Sequence, residues 1–342
     1  MERSVLIGNG INIQFGGKDY LNSSIISRLE KNIATTGRYT DIFAGTVDAE
    51  DMAGLISKLY DWSLNHVFKG IHSISLVANQ DEFWNVLRMS KEYSEQSEPS
   101  VLSVGMEDYL LLLKLFDAQY PEEEQVYTSA AQACCWLLLD ALYNEGRLQE
   151  IHKSMDGVQG LFEEYDSIFT VNYDTNIDNC VSKKVYHLHG SFETLHHEYD
   201  PTTLKGWALQ KVNGSLLPIV DSKKYLYCNA ILGFSGEDKL RKINQYNEIY
   251  ESAVTKVLRD QHPDLKMEPY PFGQFKAISG ELDIIGMNPN NDSHIFRMIN
   301  ENRDISKVVY YYHDKRQIDR VKVMLPEKTV DSLDVRRLWD SL

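Results

Sequence analysis

Leu6-Ile7-Gly8-Asn9-Gly10-Ile11-Asn12 decides the fold, and two later strings repeat its design: Phe169-Thr170-Val171-Asn172-Tyr173-Asp174 and Tyr186-His187-Leu188-His189-Gly190-Ser191. Each is a short apolar run with a polar tip. Val5-Leu6-Ile7 reads as a strand, and the glycines after it supply a turn whose backbone can approach a ligand closely. The other two strings end in Asn-x-Asp and His-Gly, which project hydrogen-bonding groups from a strand end. In open α/β sheets the carboxyl edge of the strands is where ligands bind.

Outward from these strings, short apolar or β-branched segments bounded by turn residues recur at 167–171, 185–188, 225–234, 282–286 and 307–312. Such runs suit strands of a parallel sheet buried on both faces. The turn after the first strand is expected to run through Asn12 towards Gly16-Gly17, with a helix from about Tyr20 to Lys31. Glu237 to Val257 also reads as a helix. Between 41 and 161 the period is helical: Met52, Leu55, Ile56, Leu59 and Tyr60 stand three and four apart, as do Leu110 and Leu113, and Ala131 to Leu142 continues the pattern. Ser90 to Ser100, rich in Ser and Glu, reads as a loop. The expected class is α/β, a Rossmann-like, largely parallel sheet with a large helical insertion. Residues 1–40 and 162–342 form the core and 41–161 the inserted lobe.

The 35 basic and 50 acidic side chains give a formal charge of -15, which repels a phosphate backbone and argues against nucleic-acid binding. The densest basic runs, Lys239-Leu240-Arg241-Lys242 and Asp314-Lys315-Arg316, sit among acids, and the first reads as a solvated helix face. Cys134, Cys135, Cys180 and Cys228 lack Cys-x-x-Cys spacing and read as buried, reduced thiols. With no leader pattern and no apolar run of membrane-spanning length, the expectation is a soluble cytoplasmic protein.

Gly8-Asn9-Gly10 departs from the dehydrogenase fingerprint: Ile13 stands where a third glycine belongs, and no acidic residue follows at the distance that would hold a ribose. Asn172 and Asp174, one residue apart, share a side in extended backbone, whereas the second copy, Asn176-Ile177-Asp178, reads as an Asx-turn. On that reading, replacing Asn176 acts weakly, through the turn alone. His189 can take a proton near neutral pH, its unperturbed pKa being about 6.5. His187 should share its face, but the pair lacks a convincing third ligand, so no metal is expected. Gly286-Met287-Asn288 follows another apolar run, with Asp292 and His294 beyond, and His313 ends the run at 308–312.

In order, spacing and chemistry the three strings resemble the NAD-binding core of sirtuins, whose pattern runs Gly-Ala-Gly-Ile-Ser, Thr-Gln-Asn-Ile-Asp and His-Gly. They resemble more closely the sirtuin-like NAD hydrolases and AbiH-type proteins of bacterial antiphage defence. The resemblance covers the first few tens of residues and most of 167–313. It implies NAD as substrate and cleavage of the nicotinamide–ribose bond. Asn172 would position water or the nicotinamide amide, Asp174 would hold the nicotinamide or its ribose, and His189 would be the general base. Gly8, Asn9, Gly10, Ile11, Asn12 and Thr170 would form the phosphate and ribose side, the Gly8 and Gly10 amides receiving the diphosphate. Gly286 and Asn288 would meet the adenine end. The two Cys-x-x-Cys pairs of deacylating sirtuins are absent from the sequence, which fits water as acceptor. The family also implies an NAD-depleting role in abortive infection, a homo-oligomer and a possible translocase-type ATPase partner. The helical lobe, with Leu110 and Leu113 on an exposed face, is the expected contact surface. A non-catalytic sensor of NAD or an ADP-ribose-type nucleotide is the alternative.

Overall fold

The computed structural model describes residues 2–35, 49–69, 76–96, 100–120, 134–135, 137–192, 209–212, 215–218, 229–253, 256–257, 260, 268–290, 292–340 and 342. Its strands are β1 (Arg3–Ile7), β2 (Ser167–Thr170), β3 (Val185–His187), β4 (Leu209–Val212), β5 (Ser215–Pro218), β6 (Gly280–Ile285), β7 (Ile305–Tyr312) and β8 (Thr329–Asp334). Six of them form one parallel sheet in the order β3-β2-β1-β6-β7-β8, and β4 pairs with β5 as a separate antiparallel hairpin. Renumbered within the sheet, the order is 3-2-1-4-5-6, that of a Rossmann-like α/β fold. The order reverses between β1 and β6, so the loops leaving their carboxyl ends diverge to opposite faces and open a crevice there.

The helices are α1 (Gly10–Gly16), α2 (Asn22–Thr35), α3 (Ala49–Ser63), α4 (Gln80–Ser94), α5 (Met106–Gln119), α6 (Val158–Glu163), α7 (Asn176–Cys180), α8 (Gly236–Tyr250), α9 (Phe272–Lys276), α10 (Ser293–Glu301), α11 (Arg316–Met324) and α12 (Val335–Trp339). Side chains alternate across the sheet. Val5, Ile7, Ile168 and Ile285 join one apolar core, Leu6, Phe169, Leu282 and Ile284 the other, and all are buried. Burial on both faces is why these strands read as unbroken apolar runs rather than alternating ones. The first core also contains Ile25 and Leu29 of α2, Leu59 of α3, Leu111 of α5 and Leu138. The inserted segment therefore packs into the same core as the sheet.

Several expectations change. The chain after β1 enters α1 at Gly10 instead of remaining a turn to Gly17, and α2 starts at Asn22. Helix α4 continues to Ser94, through the first part of the expected loop, while 97–99 lie outside the described residues. Residues 229–234 are not strand, and 225–228 lie outside the described residues. Strands β4, β5 and β8 were not expected; β8 alternates exposed and half-buried residues at a sheet edge. Leu110 and Leu113 do not form an exposed face. Tyr109 through Leu113 are all buried, so this stretch of α5 is apolar all round and enclosed. Cys134 is buried and Cys135 and Cys180 are half-buried thiols, while Cys228 lies outside the described residues. Among the described residues no helix is long and apolar enough to cross a membrane.

Candidate functional site

The crevice at the β1/β6 switch point is a cavity of about 500 Å³. Its wall brings together Gly8, Asn9, Gly10 and Asn12 after β1, Asn172 and Asp174 after β2, His189 after β3, and Gly286 and Asn288 after β6. His313, after β7, lines it too. Two expected contacts are not in the wall. Ile11 is wholly buried in the core, and Thr170 is a strut: its hydroxyl donates to the Ile7 carbonyl (3.0 Å) and accepts from the Asn172 amide (3.0 Å). Thr170→Val keeps the shape but leaves the Asn172 amide unpaired, while the Ile7 carbonyl keeps its bond from Val171 N–H (3.0 Å). We expect a loss of about 1–2 kcal/mol in urea unfolding at unchanged m-value.

The two glycine turns meet backbone to backbone. Gly8 N–H donates to the Ile285 carbonyl (2.9 Å) and Gly10 N–H to the Gly286 carbonyl (2.8 Å). A Cβ on Gly10 would stand 2.5 Å from the Gly286 Cα, and Gly286 itself has φ 70°. Close approach is therefore what this pair of glycines provides. It corrects the expected role of the Gly8 and Gly10 amides, which are spent on β6 and do not point to a ligand.

Asn172 presents the opposite case. Its side chain is buried, it lines the cavity, and among the described residues its Nδ2 has no hydrogen-bond partner. A buried amide donor without a partner is costly unless something outside the fold accepts from it. Asp174 is held instead by its own neighbours: Oδ2 accepts from Asn12 Nδ2 (2.6 Å), and Oδ1 from Asn176 N (3.1 Å) and Asn176 Nδ2 (2.7 Å). Burial pushes its carboxyl up, while the Asn12 and Asn176 donors hold it down. The second Asn-x-Asp copy is thus no mere turn. Asn176 is fully buried, donates to the Leu148 carbonyl (2.8 Å) and accepts from His152 N–H (3.0 Å).

His187 and His189 part company because β3 ends at His187. The His187 ring bridges the Asn172 carbonyl (Nδ1, 3.1 Å) and Asp178 (Nε2 to Oδ2, 3.0 Å). Burial lowers its pKa, but the Asp178 hydrogen bond and charge outweigh this and raise it. His189 follows the bend into Gly190, where φ is 78° and a Cβ would stand 2.0 Å from the Asn229 carbonyl oxygen. Its Nε2 lies 3.0 Å from Nε2 of His294, which is itself fully buried. Burial and then the Lys239 charge push His189 down to about 3, and burial and His189 push His294 well below its ordinary value, so both rings are neutral near pH 7.

Beside them sits a buried ion cluster. Lys239 Nζ contacts Glu107 Oε1 (2.6 Å) and Asp292 Oδ1 (2.9 Å), and Asp292 Oδ1 is 3.9 Å from His189 Nδ1. Lys239 is 1 % exposed, which corrects its reading as part of a solvated face. Burial opposes its charge, but Asp292 and Glu107 outweigh that and keep it protonated. Burial drives Glu107 up to about 7 against Lys239, whereas Asp292, despite burial, is held at about 2 by Lys239 and the two imidazoles. Glu107 belongs to α5, so the inserted segment contributes directly to the wall.

Lys239, Glu107 and Asn176 were missed as site residues, and Asp292 and His294 were noted only as following the Gly286 turn. His294 and Lys239 lie on helices, where a single polar residue carries no local signal. Asn176 had one, the repeated Asn-x-Asp, which was assigned to a turn. One donor atom each from His189, Asp292 and His294 lies within 4.8 Å of the others, making these the residues among those described that could hold a metal. Compared with family models, curated proteins and solved structures, the chain matches none.

Proposed function

We propose that the chain is an NAD glycohydrolase that splits the nicotinamide–ribose bond to nicotinamide and ADP-ribose, as an NAD-depleting effector of antiphage defence. The observation that carries the reading is the unpaired Nδ2 of buried Asn172 in a cavity that also holds the glycine turns and His189. Nicotinamide leaves as a neutral molecule from a cationic ring, so the site need not protonate it. The site must orient the bond, stabilise oxocarbenium character and receive a proton from water. Asp292, Asp174 and Glu107 place carboxyl groups in the wall, a suitable surround for a cationic centre. Asn172 would donate to the substrate, and His189, neutral near pH 7, would take the proton.

The test is incubation of the purified protein with NAD followed by chromatography. Nicotinamide and ADP-ribose are the expected products, and intact NAD would reject the reading. Asn172→Ala should slow formation of both about tenfold, the worth of one lost hydrogen bond at about 1.4 kcal/mol. One observation favours the second reading, a nucleotide sensor without turnover: His189, pushed down to about 3, is a weak base whose Nε2 already faces His294. Intact NAD together with measurable NAD binding would support it. Oligomerisation and a translocase-type ATPase partner remain part of the proposal, but α5 is not their surface.

A further inference from the structure

We propose that His189, His294 and Asp292 bind one zinc-class divalent cation beside the cavity, and that this ion switches the proposed cleavage off. The binding half stands on geometry alone; the switching half rests on the NAD reading.

Two nitrogens held at about 2.1 Å by one tetrahedral ion lie about 3.4 Å apart, a few tenths of an ångström more than in a direct hydrogen bond. The His189 and His294 Nε2 atoms are 3.0 Å apart, which leaves the rings little to rearrange. One donor atom each from Asp292 and the two histidines lie within 4.8 Å of one another, and Asp292 Oδ1 stands 3.9 Å from His189 Nδ1, so the carboxylate must turn to bring an oxygen to the ion. Lys239 occupies Oδ1 of that carboxylate, and the second oxygen is left for the ion. Two imidazoles and one carboxylate, with His189 and Asp292 lining the cavity so that water can complete the shell, suit zinc, cobalt or nickel; all-oxygen sites suit magnesium or calcium. A neutral imidazole with a free lone pair is the form that coordinates.

Without an ion, one ring donates its Nε2–H to the other. On metal entry that proton moves to Nδ1 of the same ring, and both Nε2 lone pairs go to the ion, with no net proton released. A neutral imidazole has one lone pair and one N–H. Once the ion takes the lone pair of His189 at Nε2, Nδ1 carries the hydrogen and the ring has no site left to accept a proton. The same ring cannot be a metal ligand and a general base at once. The site is therefore inhibitory if His189 is the base of the reaction.

The test uses full-length protein stripped with a chelator and titrated with Co²⁺, followed by its visible absorption, and with Zn²⁺ by calorimetry. The wild type should bind one equivalent of each, and Mg²⁺ should not compete. His294→Gln, which keeps a polar side chain in the buried position, and Asp292→Asn should abolish or strongly weaken binding, each variant being checked for a native unfolding transition. A wild type that binds neither ion, or binding unchanged in a folded His294→Gln, overturns the site. If His294→Gln does not fold, Asp292→Asn carries the same decision. In parallel, NAD cleavage by the wild type in chelator should fall about 10²-fold with one equivalent of Zn²⁺ and recover on re-chelation. Cleavage that requires Zn²⁺, or ignores it, overturns the switch. A wild type that cleaves no NAD with or without metal rejects the hydrolase reading and the switch with it, while the cation site is decided by binding alone.

Discussion

His189→Ala should reduce NAD cleavage about 10²-fold in chelator, with KM for NAD little changed. A positioned general base contributes roughly 10²–10⁴-fold, and its effect follows its basicity. Burial and Lys239 push His189 down to about 3, so it accepts a proton with less driving force than an ordinary imidazole. That places the expected loss at the lower end of the range. A merely structural role is separable because the backbone contact of His189, its carbonyl accepting from Ile231 N–H (2.9 Å), survives the substitution. Among the described residues the ring's one hydrogen bond is to His294, and its loss leaves that ring unpaired at a cost of about 1–3 kcal/mol. His189→Gln provides the control. If it folds like the wild type and still turns over NAD at the wild-type rate, His189 is not the base.

The sheet was legible because its strands are buried on both faces. Val5-Leu6-Ile7 and Ile168-Phe169 are apolar at every position because the two cores take alternate residues. The strand-end tips were legible for a related reason: polar residues directly after such a run must leave the core, and the switch point gathers them at one crevice. Edge strand β8, Thr-Val-Asp-Ser-Leu-Asp, lacks that signal because half its residues face solvent. The depth of α5 was hidden as well, since its apolar run Leu110 to Leu113 reads the same whether it covers a core or awaits a partner. Least visible was the cluster behind His189. Lys239 looks like any charged helix residue in Lys-Leu-Arg-Lys, and only folding shows that it turns inward to Glu107 and Asp292.

Asn176→Ala should cost about 3–5 kcal/mol of stability, far more than a turn residue would. The sequence offers two Asn-x-Asp copies, and the structure gives them different duties. Asn172 lines the cavity and has a buried amide nitrogen without a partner among the described residues, whereas Asn176 spends its amide on the fold. Its Nδ2 ties Leu148 to Asp174, and its Oδ1 accepts from His152, so one side chain joins the segment 144–154 to the strand-end loop. Alanine would strand the buried Leu148 carbonyl and the half-buried His152 amide at about 1–3 kcal/mol each, and would leave a small void. Asp174 keeps its bond from the Asn176 backbone, so local structure need not collapse before global unfolding. The measurement is urea unfolding of Asn176→Ala and Asn172→Ala side by side. Asn172→Ala should be close to neutral in stability, because its amide makes no bond to lose, while its cleavage rate falls. A stability change below about 1 kcal/mol for Asn176→Ala would return Asn176 to the role of a turn residue and leave Asp174 positioned mainly by Asn12.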